Sequence, residues 1–319
     1  MVQRPVGTRW ERLDEILREI ERRFGPWALY RLSQARPKLG KPVIPTGSLT
    51  LDLASGVGGI PRGRITELAG PLSSGKRTLA AHILANAQAE HGFAAYIDAA
   101  HAFDAERLVR CGVDLPDLLL AIPESMDEAL IMIDLLVRSG GLDVVILDAL
   151  PGAAYPQATA SRTPLPLLLA QGLRRINAGL RNAPTAVVLV SEEQTSQRTD
   201  SRALRHATSL RIALRSAVPL RHPSGVVTAL RVRAEIVKNK LAPVASPVSF
   251  EVDERVGIRR NAEIVDLALA AGLIESHPLG LIAGAIPLGR TRALAVARLT
   301  DDPALAGALE EQVRAHWLS

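Results

Sequence analysis

Cysteine is almost absent from this 319-residue chain, in which Cys111 stands alone. One thiol excludes a disulfide framework and a zinc site built from cysteines, and it points to a reducing, intracellular setting. Aromatic residues amount to only 3%, which leaves little material for stacking on nucleic-acid bases. No apolar run approaches the roughly 18 residues that cross a bilayer, and the opening stretch has no apolar core followed by a small-residue cleavage site. A cytoplasmic location with no membrane contact is therefore expected. With 47% hydrophobic and 22% charged residues, the chain is neither wholly disordered nor collagen-like. Its length fits about two domains. The net charge of +5 suits a polyanionic partner without demonstrating one.

Thr8 and Glu11 stand in capping-box spacing, and Leu13, Ile16, Leu17, Ile20 and Phe24 draw one apolar stripe along a helix that Gly25 and Pro26 stop. So short a helix must bury its stripe, either on its own core or on a neighbouring subunit. Farther on, strand candidates at 64–69, 93–98, 118–122, 143–148 and 186–190 alternate with helical stretches at 76–91, 104–111, 125–139 and 165–181. That alternation predicts an α/β fold with a mainly parallel sheet covered on both faces. The runs 209–215, 226–238 and 248–252 read as consecutive strands added antiparallel to one edge. Beyond residue 259, a helix bearing Ile264, Val265, Leu267, Ala268 and Leu273 precedes a Gly- and Pro-rich stretch at 277–289 and a last helix over 303–318. This second unit is expected to be a small α/β domain. Cys111 falls on an apolar helix face, and the single histidines His101 and His206 lack metal-ligand spacing, so all three read as structural.

Gly70, Pro71, Leu72, Ser73, Ser74, Gly75 and Lys76 follow an expected strand and open an expected helix. In that context a glycine-rich loop wraps phosphates with its backbone N–H groups. Asp148, ending the apolar run 144–147, supplies a carboxylate of the kind that helps hold a magnesium shell. The motif calls for Ser or Thr directly after the lysine, as a metal ligand, and the residue there is Arg77. Thr78 comes one position later, turned by about 100 degrees on a helix, and is no simple substitute. ATP or another nucleotide is the expected ligand, with magnesium in doubt. The Arg77 guanidinium is expected to pair with Asp148 in the metal's place, and to neutralise phosphates so that binding no longer needs the metal.

Several stretches together resemble the bacterial RecA recombinase family over nearly the whole chain: IERRFGPWALYRLS, VIPTGSLTLDLASGVGGIPRGRITELAGPLSSGK, YIDAAHAFDAERLVRCGVD, VVILDAL, IVKNKLAP and GIRRNAEIVDLALAAGLIE. The resemblance implies an N-terminal helix-and-strand oligomerisation segment (1–37), a P-loop ATPase core with two DNA-binding loops (38–258) and a small C-terminal α/β domain (259–319). It also implies a glutamate that orients the attacking water in the form Asp-Ala-Glu-His-Ala, where this chain reads Asp98, Ala99, Ala100, His101, Ala102. Losing a general base costs about 10² to 10⁴ in rate. The family's γ-phosphate-sensing glutamine falls on Glu192 or Glu193, where a carboxylate would repel phosphate. Arg107 stands for the tyrosine that covers the adenine, either stacking on the base or lying solvated on its helix. Lys238 and Lys240 match the pair that the resemblance assigns to reaching across a subunit interface toward the nucleotide.

The stretches matching the family's DNA loops are abbreviated. The second, 193–206, lacks the glycine pair and carries Arg198, Arg202 and Arg205, and the first, about 151–165, has Arg162 as its charge, with Arg174 and Arg175 on the following helix. From Arg198 to Lys240 only Asp200 and Glu235 oppose the basic residues. Such a run suits sequence-independent binding to a single-stranded DNA backbone, or else is a solvated surface. The expectation is a RecA-like DNA-binding accessory in repair, recombination or damage-induced (SOS) mutagenesis, with ATP hydrolysis lost. Its expected partners are its own kind or a RecA through the N-terminal helix, and a translesion polymerase complex. The alternatives are an active ATP-dependent strand-exchange enzyme and a subunit that caps or inhibits RecA filaments.

Overall fold

A computed structural model describes residues 8–24, 43–149, 164–192, 202–221, 225 and 227–318. Residues 1–40 and 41–319 form separate compact units. The first contains α1 (Thr8–Phe24). On it Ile16 is exposed while Leu17 and Ile20 are half-buried. The side chains of Leu13 and Phe24 lie outside the described ones, as do the expected N-terminal strand, Arg162, Glu193 and Arg198.

The second unit opens with β1 (Val43–Ile44), α2 (Leu49–Ala54) and β2 (Ile60–Pro61). The alternating stretch then runs β3 (Ile65–Gly70), α3 (Lys76–Ala89), β4 (Ala94–Asp98), α4 (Ala105–Arg110), β5 (Leu118–Ala121), α5 (Met126–Ser139), β6 (Val144–Asp148), α6 (Leu165–Gly179), β7 (Ala186–Glu192) and α7 (Arg202–Ala207). It closes with β8 (Leu210–Arg221), β9 (Val227–Asn239), β10 (Val248–Asp253) and β11 (Gly257–Ile258). Strands β3, β4 and β6 are buried along their whole length; β6 reads as an apolar run up to Asp148, whereas β3 also buries Thr66 and Glu67. Helices start where side chains cap them: Asp104 accepts from the Arg107 amide and Ser125 from the Glu128 amide.

These strands form one nine-stranded sheet in the order β11-β10-β9-β8-β3-β7-β6-β4-β5. The fold is α/β, as expected. One expectation is corrected: β8 is not an antiparallel addition but pairs parallel with β3, with Thr66 opposite Leu210. In this sheet the antiparallel pairings are those of β9 with β8, β10 with β9 and β11 with β10. The reason is the segment bearing α7, which returns the chain across the sheet and delivers a fully buried Leu210, Ile212 and Leu214 beside the central strand. Two apolar clusters cover the faces. Leu68, Leu84, Ile146 and Phe250 belong to one, and Ile97, Ile133, Val145 and Ile176 to the other.

After β11 come α8 (Arg260–Ala270), β12 (Glu275–His277), β13 (Gly280–Ala283), β14 (Ile286–Gly289), α9 (Arg292–Asp301) and α10 (Pro303–Leu318). The Gly- and Pro-rich stretch is a three-stranded antiparallel sheet. Helix α9, which the apolar spacing did not announce, is capped by the Thr291 side chain accepting from the Leu294 amide. A third apolar cluster joins Ile264, Val265, Leu299 and Val313 to Leu49 of α2. Polar bonds reinforce that joint. Glu263 accepts from Ser48 Oγ at 2.8 Å and from the Leu49 amide at 2.6 Å, and Arg314 donates to Asp52 at 3.1 Å.

Candidate nucleotide site and DNA surface

The turn between β3 and α3 needs unusual backbone. Gly75 has φ +91 and ends the loop as the α3 N-cap with no side-chain cap, and a Cβ on Gly70 would collide with the Leu214 carbonyl. The first turn of α3 therefore presents amides with no intrahelical acceptor toward the loop. Lys76, buried, folds back over this turn and donates to the carbonyls of Gly70 (2.7 Å) and Pro71 (2.5 Å) and to Ser74 Oγ (3.4 Å).

Beside the loop lies a cavity of about 530 Å³, within the range of small-molecule sites. Leu72, Ser73, Gly75, Lys76, Arg77 and Thr78 form one wall, Arg107 and Arg110 of α4 with Cys111 at its end another, and Asp148, Glu192 and the turn Asp253, Glu254, Gly257 belong to the rest. Arg107 Nη2 also sits 3.3 Å from Asp104. Burial pushes the Cys111 thiol up.

Arg77 and Asp148 meet in this cavity. Arg77 Nε donates to Asp148 Oδ2 at 2.6 Å, and the Tyr96 hydroxyl donates to the same oxygen at 2.8 Å. Asp148 is 1% exposed, so its charge is held by these two donors. Burial pulls the Arg77 guanidinium down and the bond to Asp148 more than offsets it, leaving it above its ordinary value. Burial, then the Asp148 charge, push the Tyr96 hydroxyl well up. The neighbouring carboxylate, Asp98, lies opposite Asp148 in register and accepts the amides of Ala102 (3.0 Å) and Phe103 (2.9 Å). Ala100 is on the turn after β4, and the adjacent Ala99 amide donates to the Asp148 carbonyl at 3.0 Å.

These groups do not fit magnesium. A cation stands where the metal-binding hydroxyl would, and the Asp148 oxygen nearest it already accepts twice. The loop itself, with its turned backbone and its lysine, fits a phosphate chain.

Sequence reasoning missed the cavity-lining Arg110, Asp253 and Glu254, and also Tyr96 and His82. Tyr96 carried a weak signal, as a polar ring in a buried strand. His82 carried none: its Nε2 accepts the Ile258 amide at 2.8 Å, steadying the turn whose Gly257 lines the cavity. Lys238 and Lys240 do not line this chain's cavity. Lys238 Nζ donates to the Arg205 carbonyl and Lys240 Nζ to the His206 carbonyl at 2.9 Å, closing the end of α7. Burial, then Lys240, pull the Lys238 ammonium down. His101 and His206 are exposed.

Arg174 and Arg175 of α6 and Arg202 and Arg205 of α7 are all exposed. Helices α6 and α7 pack together, with Asn177 Nδ2 donating to the Ala207 carbonyl at 3.4 Å. Basic residues about thirty positions apart are thus carried on adjoining elements.

Among the described residues, no helix is long and apolar enough to cross a membrane. The crystal structure of the RadB recombinase shares the fold, with a TM-score of 0.55 at 23% identity, covering 68% of this chain and 98% of that one. Protein RecA of Roseiflexus castenholzii is 36% identical over 317 residues, 94% of this chain and 89% of that protein. Protein RecA of Herpetosiphon aurantiacus is 37% identical over 315 residues, 94% and 87% of the two chains, and that of Brucella anthropi is 36% identical over 318, 95% and 88%. Residues 11–259 match the RecA N-terminal domain. With a phosphate-type loop on the expected strand–helix junction and likeness along nearly its entire length, the chain belongs to the RecA family.

Proposed function

We propose that this RecA-family protein binds single-stranded DNA through its phosphate backbone and serves recombination, repair or damage-induced mutagenesis as an accessory that does not turn over ATP. The observation that carries the reading is the 2.6 Å bond from Arg77 to Asp148, which puts a fixed cation where phosphoryl transfer needs a metal. Ala100, on the turn after β4, has no group to orient water. The exposed arginines on α6 and α7 supply backbone contacts without base readout. In this reading residues 1–37 serve assembly with a second copy or with a RecA, residues 38–258 form the core and residues 259–319 a small domain. A translesion polymerase complex is a further partner, and the setting is cytoplasmic.

A second reading, an ATP-dependent strand-exchange enzyme, is favoured by relatives that bear the name RecA. ATP turnover by the purified full chain, with and without single-stranded DNA, separates the two. Release of phosphate at the background rate in both conditions supports the accessory reading, and DNA-stimulated turnover refutes it.

A further inference from the structure

The nucleotide cavity holds a fixed cation of its own. A guanidinium has five N–H donors, and Asp148 engages Arg77 through Nε. Among the described residues, Nη1 and Nη2 make no other bond, and Arg77 lines the cavity. Asp148 is itself pinned by Tyr96 from the neighbouring strand. The guanidinium is therefore held by one edge with its forked end available, the geometry that suits bidentate contact with phosphate oxygens.

We infer that the cavity takes a nucleoside di- or triphosphate as the metal-free anion, with Arg77 supplying the counter-charge that magnesium supplies in other phosphate loops. The inference concerns the same site as the accessory reading, but rests on binding rather than on the loss of turnover. The loop backbone and Lys76 hold one part of the phosphate chain, and Arg77 holds another. Magnesium bound to the nucleotide would bring a second cation against the guanidinium, so the metal complex is the poorer ligand. The cavity continues from the loop to Arg107, Arg110 and the Val252–Gly257 turn, beyond the length of a bare phosphate chain. That extension favours a nucleotide over inorganic polyphosphate.

The test is titration of the full chain with fluorescently labelled ADP, in excess magnesium and in EDTA, with competition by unlabelled ADP, ATP and tripolyphosphate. The wild type should bind equally well in EDTA, within about twofold, or better. Arg77→Thr, which restores the hydroxyl of the motif, should make binding depend on magnesium by about tenfold or more. Removing the guanidinium, in Arg77→Ala or in Arg77→Thr without metal, leaves Asp148 a buried charge and risks unfolding. The double variant Arg77→Ala/Asp148→Asn removes both charges, and should bind about tenfold or more weakly in EDTA while keeping a cooperative melt. Binding by the wild type only with magnesium, or no binding of any of these probes by folded protein, would overturn the inference. Tripolyphosphate competing as well as ATP would overturn its nucleotide part. ATP turnover combined with metal-indifferent binding would sink the accessory reading alone, whereas magnesium-dependent binding without turnover would sink only this one.

Discussion

His82 gives the structure a calculable acid sensitivity. Its Nε2 accepts the Ile258 amide, so the bonded form is the neutral imidazole. Burial, then the nearby Arg260 charge, hold its pKa at about 4, against an ordinary 6.5. The unfolded chain takes up the proton first as pH falls, so the stability His82 contributes is complete above about pH 6.5 and is lost progressively toward pH 4. At 1.36 kcal/mol per unit, the whole shift amounts to about 3 kcal/mol, of which about 2 kcal/mol is lost between about pH 7.5 and about pH 5. Two buried carboxyls act in the opposite sense. Burial raises Asp52 to about 6 and Glu263 to about 8, and such groups favour the folded state at low pH and lose that contribution as pH rises. They are common to wild type and variant, so the difference between the two cancels them. His82→Gln retains a side-chain acceptor for the Ile258 amide and does not titrate. Urea denaturation of both proteins at the two pH values should show the stability of wild type relative to variant falling by about 2 kcal/mol on acidification. Parallel losses in the two proteins would refute the account. Nucleotide affinity should hold across this window and weaken only toward pH 4, where the imidazole of the folded protein itself takes up the proton, because His82 Nε2 lies so close to the cavity-lining Gly257 that a Cβ there would collide with it.

Replacing Arg174, Arg175, Arg202 and Arg205 with alanine should reduce the slope of log affinity for single-stranded DNA against log salt by about 0.7 for each phosphate that is no longer neutralised. An unchanged slope would remove α6 and α7 from the DNA surface. Leu49→Ala should lower stability by about 2 to 5 kcal/mol in urea, because this fully buried side chain ties α2 to the C-terminal cluster. A loss below about 1 kcal/mol would show that other side chains make the joint.

Local order was legible in the residues themselves. The buried strand β6 is an apolar run up to Asp148, helices begin at Asp104 and Ser125, and the Gly70–Lys76 loop carries its own turn chemistry, so element type and the phosphate-type loop needed no neighbours to be read. The chemistry of Arg77 and Asp148 was legible too, because the motif ties each to a set position at the end of its element. The partners of these residues were decided elsewhere. Tyr96 reaches Asp148 only because β4 lies beside β6 in a register that sets Asp98 opposite Asp148. His82 and Ile258 are separated by 176 positions, and nothing periodic links them. The parallel course of β8, the closing of α7 by Lys238 and Lys240, and the approach of α6 to α7 follow from which strand takes the place beside β3. Periodicity reports which face of an element is apolar. Neighbours and direction are set by long-range packing and by the backbone hydrogen bonds that every buried strand must satisfy, which exist only once the sheet is assembled.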